Sequence, residues 1–149
     1  MLDNANLLFA IIILVFIVLL GICFDMLGVA MTAADVQPFH SMSAHKERGG
    51  KEAVQLLNNA SQVSSIFCDV VGDICGIISG STATVIVAYL LKAFTLPSLL
   101  ASISITSLIS ALTIGGKAVG KEFAIANSTQ IVHFVAKIMN KLHIQLKKK

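Results

Sequence analysis

From Leu7 to Phe24 the chain reads LLFAIIILVFIVLLGICF, eighteen residues without a charge. As a helix this stretch is about 27 Å long, close to the roughly 30 Å hydrocarbon thickness of a bilayer. A helix apolar on every side has no face to turn to water; it is either enclosed by protein or immersed in lipid. Two more uncharged runs follow, Ile74–Leu91 and Pro97–Gly115. Three such rods in 149 residues leave too little other chain to enclose them. The charged fraction agrees, at 13% against about 25% in soluble domains. The expected fold is an all-α integral membrane protein of one domain, 1–149. Its membrane helices cover about 5–26, 63–92 and 97–115, with juxtamembrane helices over 38–61 and an amphipathic surface helix over 121–146. That leaves no room within 1–149 for a soluble catalytic or regulatory domain.

A signal peptide is the alternative for the first run. Its leading residues, MLDNAN, hold Asp3 and no Lys or Arg, whereas signal peptides begin basic. Ile22 is also bulky where a lipoprotein cleavage site before Cys23 needs a small residue.

The connector between the first two spans is polar. Pro38 suits the first turn of a short helix, Phe39–Arg48, with Asp35 or Gln37 as its cap. Gly49-Gly50 breaks it, and Ala53, Leu56, Leu57 and Ala60 then recur at helical spacing. Lys46, Arg48 and Lys51 place positive charge here, which favours the cytoplasmic side. At the other end, Ser128 suits a cap for a helix with Ile131, Val135, Ile138 and Leu142 on one face and His133, Lys137 and Lys141 on the other. A basic amphipathic helix of this kind lies on an anionic leaflet, and Lys147–Lys149 add to the attraction. With three crossings, the expected orientation is N-terminus outside and C-terminus cytoplasmic, in a cell membrane.

The stretch richest in chemistry is Cys68–Gly80, CDVVGDICGIISG. Asp69 and Asp73 are four apart, as are Gly72, Gly76 and Gly80, so each set forms a stripe on a helix. A carboxylate within a membrane costs several kcal/mol and is seldom idle. Small residues let helix backbones approach closely in lipid. Asp25 closes the first apolar run, and Asp25-Met26-Leu27-Gly28 echoes Asp69-Val70-Val71-Gly72. Asp69 and Asp73 thus mark an ion-handling helix, while Asp25 taken alone reads equally as a solvated residue at a helix end. In the third span Ser98, Ser102, Thr106 and Ser110 form a hydroxyl stripe that serves either helix packing or the lining of an ion route.

Other features have plainer explanations. Cys23, Cys68 and Cys75 lie in or beside apolar runs and read as small buried side chains. His40 and His45, five apart, are poorly placed to share a metal. Asn59-Ala60-Ser61 and Asn127-Ser128-Thr129 match glycosylation acceptors by chance, on a face expected to be cytoplasmic. A net charge of +3 is too mild to suggest nucleic acid. No nucleophile–base pair, His/Cys ligand cluster or phosphate loop points to an enzyme.

Taken together, these segments resemble the transmembrane domain of the cyclin M/CorC (CNNM) family, proteins associated with magnesium transport. That domain's first helix ends in a broken stretch of the type FSGSETALTS, and FDMLGVAMTA at Phe24–Ala33 matches it at Phe24, Ala30 and Thr32. Asp25 stands where the family has serine and Gly28 where it has glutamate. Gly49 and Ala53 match a Gly-x-x-x-Ala element of the juxtamembrane belt. Gly72-Asp73-Ile74 falls on a Gly-Asn-Asn element, and GKAVGKEFA at Gly116–Ala124 keeps Gly116, Lys121 and Ala124 of a motif like GEVLPKTLA. The resemblance implies cation binding by polar groups at the first-helix break and the early second helix, here the metal ligands Asp25 and Asp73 beside Gly72, with Asp69, one turn from Asp73, either a third ligand or a residue at the cytoplasmic mouth. It implies a Mg²⁺ ligand; the expected assembly is a homodimer packed through small residues. Because the family's nucleotide-binding regulatory domains find no counterpart within 1–149, the expected partners extend to a separate regulatory or partner membrane protein rather than to ATP.

Two carboxylates in place of neutral ligands would bind a hard divalent cation more tightly, and tight binding opposes release. The functional expectation is divalent-cation transport or binding within the membrane. The alternative is an accessory module packing against another membrane protein through the glycine and hydroxyl faces. A small holin-like pore former is the third possibility.

Overall fold

The computed structural model describes residues 2–94 and 98–141, all of whose regular elements are helical. Helix α1 spans Leu2–Ala33, α2 Gln37–Ala44, α3 Gly50–Asn58 and α4 Ala60–Ser65. A six-residue π segment, Ile66–Val71, joins α4 to α5, Gly72–Phe94. Helix α6 is Ser98–Ala126 and α7 is Ser128–Lys141. Three stretches are long and apolar enough to cross a membrane: Leu7–Ala33, Ala60–Lys92 and Ser102–Ala126. Only 11%, 28% and 6% of their most apolar windows is buried. Leu8, Phe16, Ile77 and Leu112 are all more than half exposed. Water does not tolerate so much contiguous apolar surface, and the three helices are compatible with a multi-pass membrane protein.

Helix α1 is the hub. It packs on both α5 and α6, which touch each other less, and its C-terminal end reaches α3, α4 and α7. Near the start of α1, Leu14 packs with Ala83 and Ile86 of α5. At the other end lies a second core, in which Met31, Phe39, Ala53, Leu56, Leu57, Val132 and Ala136 join α1, α2, α3 and α7. The α3 periodicity thus meets real partners, with Ala53, Leu56 and Leu57 buried. Asp35 accepts a hydrogen bond from the Gln37 N–H at 3.1 Å, and α2 ends at Ala44, before Arg48.

Gly49 has φ +91°, a left-handed conformation that admits glycine without strain, at the entry to α3. Gly50 is needed for space. A methyl group there would lie 2.7 Å from the Ser43 nitrogen and 2.8 Å from the Met42 carbonyl carbon, backbone atoms that cannot turn aside. Gly50→Ala is expected to cost about 2 kcal/mol and to loosen α2 from α3 while leaving the long helices intact. Limited trypsinolysis at Arg48 and Lys51 measures it; cleavage at the wild-type rate would contradict this packing.

Three expected boundaries shift. The first helix does not break at Phe24–Ala33 but runs uninterrupted to Ala33; the irregular backbone belongs to its neighbour, at Ile66–Val71. The third helix does not stop at Gly115-Gly116 but continues to Ala126. Glycine costs a helix about 1 kcal/mol, and here the close packing of Gly116 and Gly120 on Ile22 and Met26 of α1 offsets it, while Gly115 faces open space. The chain breaks instead at Asn127, whose side-chain amide donates to the Phe123 carbonyl at 3.1 Å. The last helix therefore starts at Ser128 rather than 121, and it docks on α1 and α3 with Ser128, Val132 and Ala136 buried, Val132 and Ala136 in the core shared with α3. Of its expected apolar face, Ile131 and Val135 are half-buried, Ile138 is exposed, and Leu142 lies outside the described residues, as do Lys147–Lys149.

Candidate functional site

Asp25 sits on α1 at the level where α5 begins and α6 passes. It is 4% exposed, although it follows an apolar run. Two elements hold it. From α6, the Lys121 ammonium lies 3.4 Å from Asp25 Oδ2, and its side chain is 48% exposed. From the π segment, the Cys68 thiol donates to the Asp25 backbone carbonyl at 3.6 Å, and Cys68 Sγ also lies 3.9 Å from Ser64 Oγ. Phe67 packs against Phe24 with the rings tilted by 49° and their centroids 5.6 Å apart.

The π segment positions these groups. The Gly72 N–H is shared between the Asp69 carbonyl three residues back and the Phe67 carbonyl five back, bypassing the fourth. The wider turn carries Phe67 and Cys68 toward α1. Single π turns in α-helices are frequent at functional sites. The approach is close because Gly28 has no side chain; a methyl group there would collide with Cys68 and lie 3.1 Å from the Ser64 carbonyl oxygen. Gly72 roofs the same spot. A methyl on it would stand 3.8 Å from both Asp25 Oδ1 and Lys117 Nζ, which brings a second ammonium to the edge of the site.

The expected ligands do not all converge. Asp69, in the π segment, and Asp73, in the first turn of α5, are both exposed. Among the described residues no group of three or more His, Cys, Asp or Glu is placed to hold a metal ion. Asp25 is instead matched with lysine. The reason is geometric: α1 turns Asp25 inward, whereas Asp69 and Asp73 project from the outer side of their helix.

The packing residues also divide. Gly72 is buried, but Gly76 and Gly80 have nothing within 4 Å of where a side chain would begin. They face a groove of about 260 Å³ between α5 and α6, which also takes in Ser79, Thr106, Ser110, Thr113 and Lys117. Ser102 is half-buried, Thr106 and Ser110 are exposed, and the Ser98 side chain lies outside the described residues. Four of the hydroxyls along this groove turn back on their own helices. Ser79 donates to the Gly76 carbonyl, Thr84 to Gly80, Thr106 to Ser102 and Thr113 to Ile109, all at 2.7–2.9 Å.

Sequence reasoning missed Lys121 as the partner of Asp25, Lys117 at the edge of the site, and Gly28, Gly116 and Gly120 as close-packing glycines. Gly116 and Gly120 face Ile22 and Met26 of α1. The signal was present. Gly116-x-x-x-Gly120 and Lys117-x-x-x-Lys121 each form a stripe once the helix is allowed to pass through Gly115-Gly116. No family model, characterised protein or solved structure matches this chain.

Proposed function

We propose that this chain is a multi-pass membrane protein that binds and passes a divalent cation of the Mg²⁺ type at Asp25, with the Lys121 ammonium as an exchangeable tethered cation. The burial of Asp25 carries this reading. Withdrawing a carboxylate from water in this way costs several kcal/mol, and apolar packing would serve stability as well or better. Its partner is only half covered and stands on a flexible four-carbon stem, so the pair can open without repacking a helix. Mg²⁺ keeps several of its waters and is held by one or two carboxylates, so a single buried aspartate beside a widened helical turn suffices. Asp69 and Asp73, exposed on the same helical run, act as approach charges. The basic connector and α7 favour a cytoplasmic location, with the N-terminus outside.

The test is Mg²⁺ flux into dye-loaded liposomes. Asp25→Ala is expected to reduce flux at least tenfold and Asp73→Ala by a smaller factor, with Lys121→Gln altering apparent affinity. Equal flux in wild type and Asp25→Ala would overturn the proposal.

A second reading is favoured by the α5–α6 face. Ser79, Thr84, Thr106 and Thr113 bond within their own helices and Gly76 and Gly80 lie open. In lipid such a surface suits close approach by another helix, either from a second copy in a homodimer or from a partner membrane protein. Absence of flux in every variant, with a co-purifying membrane protein lost on Gly76→Leu, would favour the accessory module. Lysis on expression would favour a pore former.

A further inference from the structure

Helix α7 is apolar over a wider arc than it buries. Val132 and Ala136 are fully covered by the core they share with α3, yet Phe134 is 65% and Ile138 42% exposed. On a helix, Phe134, Ile138 and Ile131 make one continuous arc, and Gln130, Lys137 and Lys141 border it beside Phe134. The arc opens onto a groove of about 460 Å³ whose walls are Cys23, Met26 and Leu27 of α1, Phe123 of α6, and Ile131 and Phe134 of α7. Lys137 and Lys141 are exposed and make no ion pair among the described residues.

We infer that this groove between α1, α6 and α7 seats an anionic phospholipid, its acyl chain against Phe123, Met26 and Phe134 and its headgroup against Lys137 and Lys141. Two observations select lipid as the occupant. The groove is continuous with the outward face of α1, the most apolar of the membrane-length helices, so whatever covers that face extends into it. The rim nearest Phe134 carries lysines, which attract an anionic leaflet. An apolar body with a basic edge is the pattern of a helix lying in the interface plane. This inference rests on membrane insertion of α1 and is independent of cation handling.

The chain has no tryptophan, so Phe134→Trp and, as a control at mid-span, Phe16→Trp are single reporters in full-length protein. Both positions are more than 60% exposed and accommodate the larger ring. Each variant is reconstituted into vesicles containing brominated phosphatidylglycerol or brominated phosphatidylcholine. The indole of the Phe16→Trp variant is expected to be quenched equally by both lipids. The indole of the Phe134→Trp variant is expected to reach half-quenching at a phosphatidylglycerol fraction at least about fivefold lower than for phosphatidylcholine, the effect of one lysine near the surface. Adding Lys137→Gln and Lys141→Gln to Phe134→Trp is expected to abolish the difference. Quenching of the mid-span reporter with none of the groove reporter, as a protein partner over the groove would give, overturns the lipid seat alone. Quenching of the groove reporter without lipid preference does the same. Absence of quenching in both variants overturns the lipid seat together with membrane insertion.

Discussion

Lys121→Ala is expected to lower the unfolding free energy by about 3 kcal/mol, the lower end of the range for breaking a buried ion pair. The lower end applies because Lys121 is half exposed. Asp25→Asn is expected to cost only about 1 kcal/mol, that of an ordinary lost hydrogen bond. The asymmetry follows from burial. Without Lys121, a carboxylate that is 4% exposed is still withdrawn from water but has lost its nearest counter-ion. Without the Asp25 charge, Lys121 extends its stem to the polar boundary, as long basic side chains do near helix ends. The double variant Asp25→Asn/Lys121→Ala is therefore expected to be more stable than Lys121→Ala alone. Equilibrium denaturation in mixed micelles measures all three. Equal single costs that simply add in the double variant would mean that the pair is a surface contact without structural consequence, and the tethered-cation mechanism would fall with it.

Gly28→Leu and Gly120→Leu are each expected to cost about 2–3 kcal/mol through overpacking. A methyl at position 120 already falls 3.0 Å from Ile22 Cγ2 and 3.1 Å from Met26 Cγ, atoms close to the α1 backbone with little room to move. At position 28 the obstacle includes the Ser64 carbonyl oxygen, which is main chain. Gly116 is more forgiving, because its neighbour is the tip of Ile22. Gly76→Leu and Gly80→Leu serve as the contrast. Nothing stands within 4 Å of either position, so monomer stability is expected to stay within about 0.5 kcal/mol. The same denaturation experiment compares the four variants. If the two pairs of substitutions destabilise equally, the packing of α1 differs from that described.

The sequence separated structural glycines from open ones poorly, and the cause is physical. A four-residue glycine spacing says that a helix has a flat stripe; it does not say which way the stripe faces. Gly72, Gly76 and Gly80 form the more conspicuous stripe, yet only Gly72 reaches the interior. Gly116 and Gly120 were hidden because paired glycines followed by lysine resemble a helix end in water. The helix nevertheless continues to Ala126, its backbone bonds closing within the helix while Gly116 and Gly120 pack on Ile22 and Met26 of α1. The carboxylates were misjudged for a related reason. Asp25 and Asp73 look equivalent in sequence, each beside an apolar run and close to a glycine, but rotation of their helices buries one and exposes the other.

The amino-acid order alone determined that the chain is helical, that three helices are long and apolar enough for a bilayer, and that Ala53, Leu56 and Leu57 share a buried face. These depend on local quantities: hydrogen bonds closed within a few residues, and the periodicity of apolar side chains. Only the tertiary structure decided that Asp25 meets Lys121 rather than Asp73, that the irregular turn lies at Ile66–Val71 rather than after Phe24, and which glycines admit a neighbour. Those outcomes depend on how each helix is rotated about its own axis, and that angle is set by contacts between residues far apart in the chain.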